Sequence, residues 1–260
     1  MNDNTASAGA ENLPSSQRLF RVSEQFISIQ GEGEDIGLPF SFIRFFGCNY
    51  YCEWCDTKYA VQHWSSEYYE RSPEELLAWV KEQGNSRICL TGGEPLTAPA
   101  QLLLRFVQAL KENNLYIDVQ SNGTIFHTSL AAYIDSWSIS PKLGSSKMTE
   151  RPDILAKYLA AKRSGALTGK IILKFIIKDA ADLQLTYVLL ESLPEIAALQ
   201  IPIVLQPEGM AGHDTADYIA TLRRLTELTA MGDEAARWRK YQLRILPQLH
   251  RIIWGGRKGI

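Results

Sequence analysis

Three of the four cysteines lie within one short segment, GCNYYCEWCDT at residues 47–57. Cys48, Cys52 and Cys55 are separated by three and then two residues, so their thiol groups come from a single tight loop. A zinc site usually draws four ligands from two separate pairs, and the sequence has no second cysteine pair. Three thiolates can instead bind a cubane iron–sulfur cluster and leave one of its irons open for a non-protein ligand. The spacing therefore favours an iron–sulfur cluster, with a structural zinc knuckle or a group of buried cysteines as the alternatives.

Two further motifs come directly after predicted β-strands. In TGGEP, residues 91–95, the glycines allow backbone groups to approach a ligand closely, and the carboxylate can pair with an ammonium group. SPK, residues 140–142, ends another strand, and Gln206 ends a third. Taken alone, each motif can be explained as a turn with solvated side chains. Because ligand sites collect at the carboxyl ends of parallel strands, we expect these motifs on the same rim as the cysteine loop.

A polar group precedes the cysteines. IQGEG, residues 29–33, follows the first predicted strand, and Arg44 lies on the strand that leads into the cysteine loop. The Gln30 amide offers a donor and an acceptor, Glu32 can accept from an amino-pyrimidine edge, and Arg44 can hold a carboxylate with its fork of N–H groups. We therefore expect IQGEG to open the same rim and the group to recognise a heterocycle with amide edges and an acid group. A Gly-rich turn with surface charges is the alternative.

The elements that must position these residues indicate an α/β fold. Short β-branched and aromatic segments alternate with helical patterns, as crossover connections between parallel strands require. The clearest helix is predicted at 73–83, where Ser72 is a good N-cap, Glu75 completes a capping box and Gly84 ends the helix. Cys89 lies inside an apolar strand and is predicted to be a core residue. Further helices are predicted at 100–113, 153–164, 179–193 and 214–231, and strands at 25–30, 40–46, 87–90, 116–120, 136–140, 170–177, 203–206 and 242–246.

The composition is that of an ordinary folded protein. Its 260 residues are 45% hydrophobic and 22% charged, and 27 basic against 29 acidic residues leave a net charge of −2. Nucleic acid is therefore not expected as a partner, since a nearly neutral protein has no strong positive electrostatic field. A membrane is not expected either, since the sequence has no long apolar segment. Residues 1–18 have neither a basic start nor an apolar block, so we predict a disordered tail rather than a secretory signal. Residues 19–260 are predicted to form a single domain that stays in the reducing cytoplasm.

The motifs taken together resemble a known family. A C-x3-C-x2-C loop with the aromatic Trp54 just before the last cysteine resembles the signature of radical S-adenosylmethionine (SAM) enzymes. TGGEP resembles the GGE motif of the same enzymes. With IQGEG, SPK and the closing PQLH-x3-WG at 247–255, the chain resembles the QueE family of 7-carboxy-7-deazaguanine synthases from about residue 20 onward.

The resemblance implies a fold and a set of cofactors. The fold would be a partial, open βα barrel of about six parallel strands. Cys48, Cys52 and Cys55 would hold a 4Fe–4S cluster whose open iron binds SAM, and Thr57 would meet a Mg²⁺ ion. The residues that would line the SAM are Trp54, Cys55, Asp56, Gly93, Glu94, Ser140, Pro141, Lys142 and Gln206. Those that would face the substrate are Ile29, Gln30, Gly31, Glu32, Arg44, Thr91 and His250.

The resemblance also implies an activity. It is the ring contraction of 6-carboxy-5,6,7,8-tetrahydropterin to 7-carboxy-7-deazaguanine with loss of ammonia, a step toward queuosine in tRNA and related 7-deazapurines. A 5′-deoxyadenosyl radical derived from SAM would remove the hydrogen at C6 of the pterin. No general base can be named from the residues, and any role for the carboxylate of Ile260 is left open. A homodimer and an electron donor such as flavodoxin or ferredoxin are implied as partners.

Two other functions share the cysteine loop. An activase of glycyl-radical enzymes would also need a cluster and SAM, but it would not need IQGEG and Arg44. A zinc-binding module without catalysis would need only metal ligands. Iron content distinguishes a zinc-binding module from the radical enzymes. Pterin binding distinguishes the activase from the synthase.

Overall fold

The strands of this protein form one open sheet. The structure, a computed structural model, describes residues 18–209, 214–232, 235–255 and 257, and every strand in these ranges belongs to that sheet. The strands in chain order are β1 (Phe20–Ile29), β2 (Pro39–Phe45), β3 (Tyr69–Arg71), β4 (Arg87–Gly92), β5 (Tyr116–Ser121), β6 (Ser136–Ile139), β7 (Lys170–Ile177), β8 (Pro202–Pro207) and β9 (Gln242–Ile245). Their order in the sheet is β3-β1-β2-β4-β5-β6-β7-β8-β9.

Seven of these strands are parallel, namely β2 and β4 to β9. β1 and β3 run antiparallel at one edge of the sheet. The predicted open α/β barrel is confirmed, with one parallel strand more than the expected six. β3 is not predicted from the sequence, because it has only three residues and no apolar alternation.

The α-helices of the described residues lie in the connections between the parallel strands, except α8, which follows β9. They are α1 (Pro73–Gln83), α2 (Ala100–Glu112), α3 (Pro152–Ser164), α4 (Ala180–Ser192), α5 (Glu195–Ala198), α6 (Thr215–Thr226), α7 (Ala235–Trp238) and α8 (Leu249–Trp254). The five predicted helices are present, and the last one differs in its final turn because Glu227–Met231 winds as a π-helix. The connection from β5 to β6 contains a short 3₁₀-helix, Thr128–Leu130, instead of an α-helix.

Side chains alternate between the two faces of each parallel strand, and the two faces differ in chemistry. On β5, Ile117 and Val119 join the large apolar core against the helices, whereas Asp118 and Gln120 lie on the other face. β7 repeats this pattern with Leu173 and Phe175 in the core and Lys174 on the opposite face. Parallel strands that are covered on both sides are usually apolar on both faces. Here the inner face instead carries polar side chains, which form the wall described below.

A second, small apolar cluster fills part of the inner face. Phe40, Phe42 and Cys89 form it, and Phe26 stacks on Phe42 with ring centroids 4.9 Å apart. Cys89 has no exposed surface, which confirms that it is a core residue. Its Sγ also donates a hydrogen bond to Asp118 Oδ2 over 3.4 Å.

No helix among the described residues is long and apolar enough to cross a membrane. The predicted disordered tail, residues 1–18, lies outside the described residues apart from Arg18. The assignment of 19–260 to a single domain stays a prediction.

The N-cap of α1 provides a test of the fold. The Ser72 hydroxyl accepts from the backbone N–H of Glu75 over 3.2 Å, and the Glu75 carboxylate accepts from the backbone N–H of Ser72 over 2.7 Å. We expect Ser72→Ala to lower the free energy of unfolding by about 1 kcal/mol, because it leaves one amide of the first turn without a partner. Denaturant unfolding measures this change. Ser86→Ala, at an exposed bend, is the matched control, and equal losses in both variants would contradict the capping role.

Candidate active site

The polar inner face of the sheet forms the wall of one cleft. Five neighbouring strands each contribute a side chain: Arg44 from β2, Thr91 from β4, Gln120 from β5, Ser138 from β6 and Lys174 from β7. The cysteine loop, residues 29–32 and residues 248–251 complete the wall. The structure therefore brings together segments from nearly the whole length of the chain.

The cysteine loop follows β2, and all three of its thiols lie on the cleft wall. Cys48 and Cys52 are buried, and Cys55 is partly exposed. The amide of Gln62 holds the start of the loop, because its Oε1 accepts from Cys48 N over 2.7 Å and its Nε2 donates to Cys48 O over 2.5 Å. Farther along, Glu53 N donates to Ser146 O over 3.1 Å. The loop is thus fixed at its start and near its middle by bonds to other segments.

Burial disfavours the ionised form of the three thiols in this loop. Burial raises the pKa of Cys48 to about 12 and also raises the pKa values of Cys52 and Cys55. The ammonium of Lys142 acts in the opposite direction on all three thiols. Since a metal binds the thiolate, loading a metal here must release protons, and the nearby positive charge favours that release.

The donor set fits an iron–sulfur cluster better than a single ion. Among the residues with described positions, no group of three or more His, Cys, Asp and Glu side chains is arranged to hold one metal ion. A zinc module would require such a group. Three thiols spread along one cleft wall instead match a cluster whose fourth iron takes an outside ligand. Thr57, the predicted magnesium contact, lies on the same wall, with its Oγ1 3.7 Å from Cys55 Sγ.

The two glycines of TGGEP pack against the cysteine loop. Gly93 N donates to Phe45 O over 3.1 Å, and Glu94 N donates to Gly47 O over 2.8 Å. A Cβ atom on Gly93 would overlap the carbonyl oxygen of Gly47 and lie 2.9 Å from the Cβ of Cys48. Gly92 has a φ of +141°, a conformation that side chains rarely tolerate. The glycines are therefore needed to seat the loop, in addition to any access that they give to a ligand.

Three of the residues predicted to line the SAM do not reach the cleft wall. Glu94 is buried, where its carboxylate accepts from Leu96 N over 3.1 Å and from Asn122 N over 2.6 Å. Burial raises its pKa to about 7, although these hydrogen bonds oppose the change. Glu94 thus ties the end of β4 to the end of β5. Gln206 is buried and donates to Glu32 over 2.9 Å, and Pro141 is buried beside Ser140.

The remaining residues of the predicted SAM site do lie on the cleft wall, namely Trp54, Cys55, Asp56, Gly93, Ser140 and Lys142. Lys142 donates to Ser140 Oγ over 2.9 Å, and its Nζ lies 5.7 Å from the centroid of the Trp54 ring. The Trp54 indole donates to Ser145 Oγ over 3.0 Å. These contacts hold the aromatic ring and the ammonium group on the same side of the cleft.

The sequence suggested that IQGEG opens the carboxyl rim of the sheet, but the structure places it differently. β1 is antiparallel to β2, and Ile29 pairs with Pro39 at the start of β2. The segment therefore begins at the amino-terminal end of the parallel strands and reaches the cleft from the opposite side to the cysteines. The direction of β1 cannot be predicted from the sequence, because an apolar strand has the same pattern in either direction.

Glu32 has protein partners for both carboxylate oxygens. It forms an ion pair with Lys174 and accepts from Gln206 Nε2 over 2.9 Å and from Gln248 Nε2 over 2.6 Å. Burial by itself raises the pKa of Glu32, but the charge of Lys174 and the hydrogen bonds from Lys174 and Gln248 oppose burial and hold the pKa well below the usual range. A fixed anion therefore sits on the cleft wall, and its bonds join β7, β8 and the start of α8.

Gln30 is also engaged by the protein. Its Nε2 donates to Asp118 Oδ2 over 3.0 Å, and its Oε1 accepts from Gln120 Nε2 over 3.1 Å and from Glu32 N over 3.3 Å. Gln30 lies on the cleft wall, and its direct contact with a heterocycle stays a prediction. Both lone pairs of its oxygen already accept hydrogen bonds within the protein. Ile29, Gly31 and Thr91 lie on the wall as predicted.

Arg44 projects from the inner face of β2 and is mostly buried, with 16% of its side chain exposed. Its Nε donates to Glu24 Oε2 over 2.9 Å, and Tyr59 donates to the same oxygen over 2.8 Å. The guanidinium carbon lies 5.6 Å from the centroid of the Phe26 ring. Glu24 thus orients the guanidinium through one N–H. Within the described parts of the chain, the other donors of the group have no hydrogen-bond partner, so they can bind a carboxylate.

The chain near His250 packs directly on IQGEG. Leu249 N donates to Gly31 O over 2.9 Å, and a Cβ atom on Gly31 would overlap Nδ1 of His250. Burial lowers the pKa of His250, which favours the neutral ring despite the nearby carboxylate of Glu32. Gly31 is therefore required by the close approach of the imidazole. Ile260 lies outside the described residues.

The sequence analysis missed Lys174 as a residue of the site, although a signal was present. KIILKFII is apolar except for its two lysines, and a lysine within a buried strand is rare unless it is paired. Ser138 is not predicted for a different reason, since a serine near a strand end is common in turns. Its position on the wall is visible only once the strand faces are known.

Comparison with known proteins agrees with this geometry. A family model described as the radical SAM superfamily matches residues 42–159. The 7-carboxy-7-deazaguanine synthase of Bacillus subtilis is 31% identical over 238 residues, which cover 90% of this chain and 95% of that protein. The 7-carboxy-7-deazaguanine synthase of Thermoplasma acidophilum is 33% identical over 244 residues, which cover 92% and 99%.

Solved structures show the same fold. The crystal structure of QueE from Escherichia coli matches with a TM-score of 0.58 and 22% identity, covering 88% of this chain and 95% of that one. Streptococcus suis SuiB bound to its precursor peptide SuiA matches with a TM-score of 0.54 and 18% identity, covering 80% of this chain and 48% of that one. With a cleft that carries the three cysteines and relatives similar along nearly its whole length, the chain belongs to the 7-carboxy-7-deazaguanine synthase family of the radical SAM superfamily.

Proposed function

We propose that this protein contracts 6-carboxy-5,6,7,8-tetrahydropterin to 7-carboxy-7-deazaguanine with loss of ammonia, in the biosynthesis of queuosine and other 7-deazapurines. The observation that carries the proposal is one cleft whose wall holds both the three cysteines and Arg44. The three cysteines suit a radical SAM cluster, and Arg44 suits a substrate with a carboxylate. Relatives with this activity in their names match about nine-tenths of the chain.

The cysteine side of the cleft would hold the cofactors. Cys48, Cys52 and Cys55 would bind a 4Fe–4S cluster, and Trp54, Asp56, Gly93, Ser140 and Lys142 would line the SAM. Together these cofactors supply the one-electron chemistry that removes a hydrogen atom from carbon. Lys142 would balance the negative charge of the thiolates, because it already favours the ionised form of all three. Thr57 would offer a hydroxyl oxygen to Mg²⁺, which usually takes few protein ligands besides substrate and water.

The opposite side of the cleft would hold the pterin. Arg44 would bind its carboxylate, while Phe26 and Phe42 offer apolar surface to a flat ring on the same wall. Ile29, Gly31, Glu32, Thr91 and His250 would contact the rest of the heterocycle. The protein's contribution to the reaction is then mainly positioning, since the reacting carbon must be held close to the cofactor and away from water.

The alternative activity as an activase of glycyl-radical enzymes is not favoured, because the relatives that match are named as synthases. A radical SAM enzyme needs a reductant, and we propose flavodoxin or ferredoxin in that role. The homodimer and the cytoplasmic location also stay predictions.

Metal analysis and electron paramagnetic resonance test the cluster. We expect the anaerobically reconstituted protein to contain iron and sulfide, and its reduced signal to shift when SAM is added. Cys52→Ala should abolish this shift because it removes one of three ligands. Cys89→Ala is the matched control, since Cys89 is a buried core residue away from the loop and its loss should leave the shift intact. Zinc without iron in the wild-type protein would refute the proposed function.

Pterin binding tests the role of Arg44. We expect Arg44→Met and Arg44→Lys to weaken pterin binding by roughly tenfold or more, because neither side chain can hold a carboxylate with two parallel N–H groups. Affinity for SAM should stay unchanged. Arg163→Met, at an exposed ion pair with Glu195, is the control. Unchanged pterin affinity in both Arg44 variants would count against the synthase and in favour of the activase.

A further inference from the structure

Gln120 lies between Lys174 and Gln30 in a chain of hydrogen-bonded side chains that crosses the inner face of the sheet. It is half-buried on the cleft wall, near the carboxyl end of β5. Its Nε2 donates to Gln30 Oε1 over 3.1 Å, and its Oε1 accepts from Lys174 Nζ over 3.5 Å. Gln30 in turn donates to Asp118 over 3.0 Å.

The two ends of this chain fix the orientation of both amides. Lys174 can only donate hydrogen bonds, so the oxygen of the Gln120 amide must face it. Asp118 is buried and accepts from Gln30 and Cys89, so the nitrogen of the Gln30 amide must face Asp118. The oxygen of Gln30 then faces the nitrogen of Gln120. A flip of either amide would place two acceptors or two donors in contact.

The two amides differ in what they have left to offer a ligand. The oxygen of Gln30 has no spare lone pair, because Gln120 and the backbone of Glu32 occupy both. An amide has two N–H groups and two carbonyl lone pairs. Among the contacts of the described residues, Gln120 uses one of each. It therefore keeps one donor and one acceptor, in a fixed orientation, on the wall of the cleft.

We propose that Gln120 recognises the heterocycle of the substrate through this N–H and this carbonyl lone pair, and that Lys174, Gln30 and Asp118 are positioning residues that fix its orientation. This inference rests on the proposed function, since it assumes a pterin in the cleft. A pterin presents an amino group and a ring carbonyl or nitrogen as neighbouring donor and acceptor, which suits an amide with both. In a lumazine a carbonyl replaces the amino group, so that position of the ring presents an acceptor in place of a donor. Gln120 thus contributes to the preference for pterins, because a site built to bond a donor rejects an analogue that lacks it.

Equilibrium binding to the anaerobically reconstituted enzyme with SAM tests this role. The probes are 6-carboxypterin and 6-carboxylumazine, and the variants are Gln120→Met, which keeps the shape without hydrogen bonds, and Gln120→Glu, which keeps only acceptors. We expect both variants to bind the pterin about tenfold more weakly or worse and to lose most of the preference over the lumazine. SAM affinity should be the same as in the wild-type protein. Gln101→Glu, at an exposed position of α2, is the matched control and should change neither ligand.

The outcomes separate the two proposals. If the wild-type enzyme binds neither pterin nor lumazine, the proposed function fails, and this inference fails with it. If the wild-type enzyme binds the pterin and both Gln120 variants bind it equally well with the same preference, only the inference is overturned. A parallel loss of SAM affinity and pterin affinity, with the preference retained, would show that Gln120 supports the cleft without reading the substrate, and would also overturn it. Changed preference with intact SAM binding supports it.

Discussion

The ion pair between Glu32 and Lys174 joins parts of the chain that reach the cleft from opposite ends of the sheet. Both side chains are buried, and two glutamine amides occupy the remaining positions around the carboxylate. Breaking such a pair by removing one partner costs about 3–5 kcal/mol, because an uncompensated charge then stays buried. The segment after β1, the middle of β7, the end of β8 and the start of α8 all meet at this one anion. The shape of the substrate side of the cleft depends on it.

The cysteine side is held by a different kind of constraint. Here the backbone of TGGEP packs against the first residues of the loop so closely that a single added carbon would not fit. Glu94 supports this contact from behind by bonding to the ends of two neighbouring strands. A motif associated with cofactor binding thus also supports the cofactor loop mechanically. The two constraints, one electrostatic and one steric, position the two halves of the same cleft.

Much of the molecule could be predicted from the sequence where the signal is local. The loop of Cys48, Cys52 and Cys55, the capped helix α1 and the apolar strands depend on short-range spacing, which a sequence displays directly. The direction of β1 could not be predicted, because strand patterns carry no direction. The partners of Glu32 and Gln30 could not be predicted either, since they come from strands and a helix far away in the sequence. Lys174 could have been predicted although it was not, because a lysine within a buried apolar strand is a visible departure from the pattern.

The position of Glu32 in the sequence affects the order in which the site forms during translation. Glu32 precedes Lys174 by 142 residues and Gln248 by 216 residues. On the ribosome, the cysteine loop and the carboxylate therefore emerge long before the lysine and the glutamines that neutralise and surround that carboxylate. Contacts so distant in the sequence form late in folding. The three thiols are therefore synthesised well before the segments that complete the cleft around them.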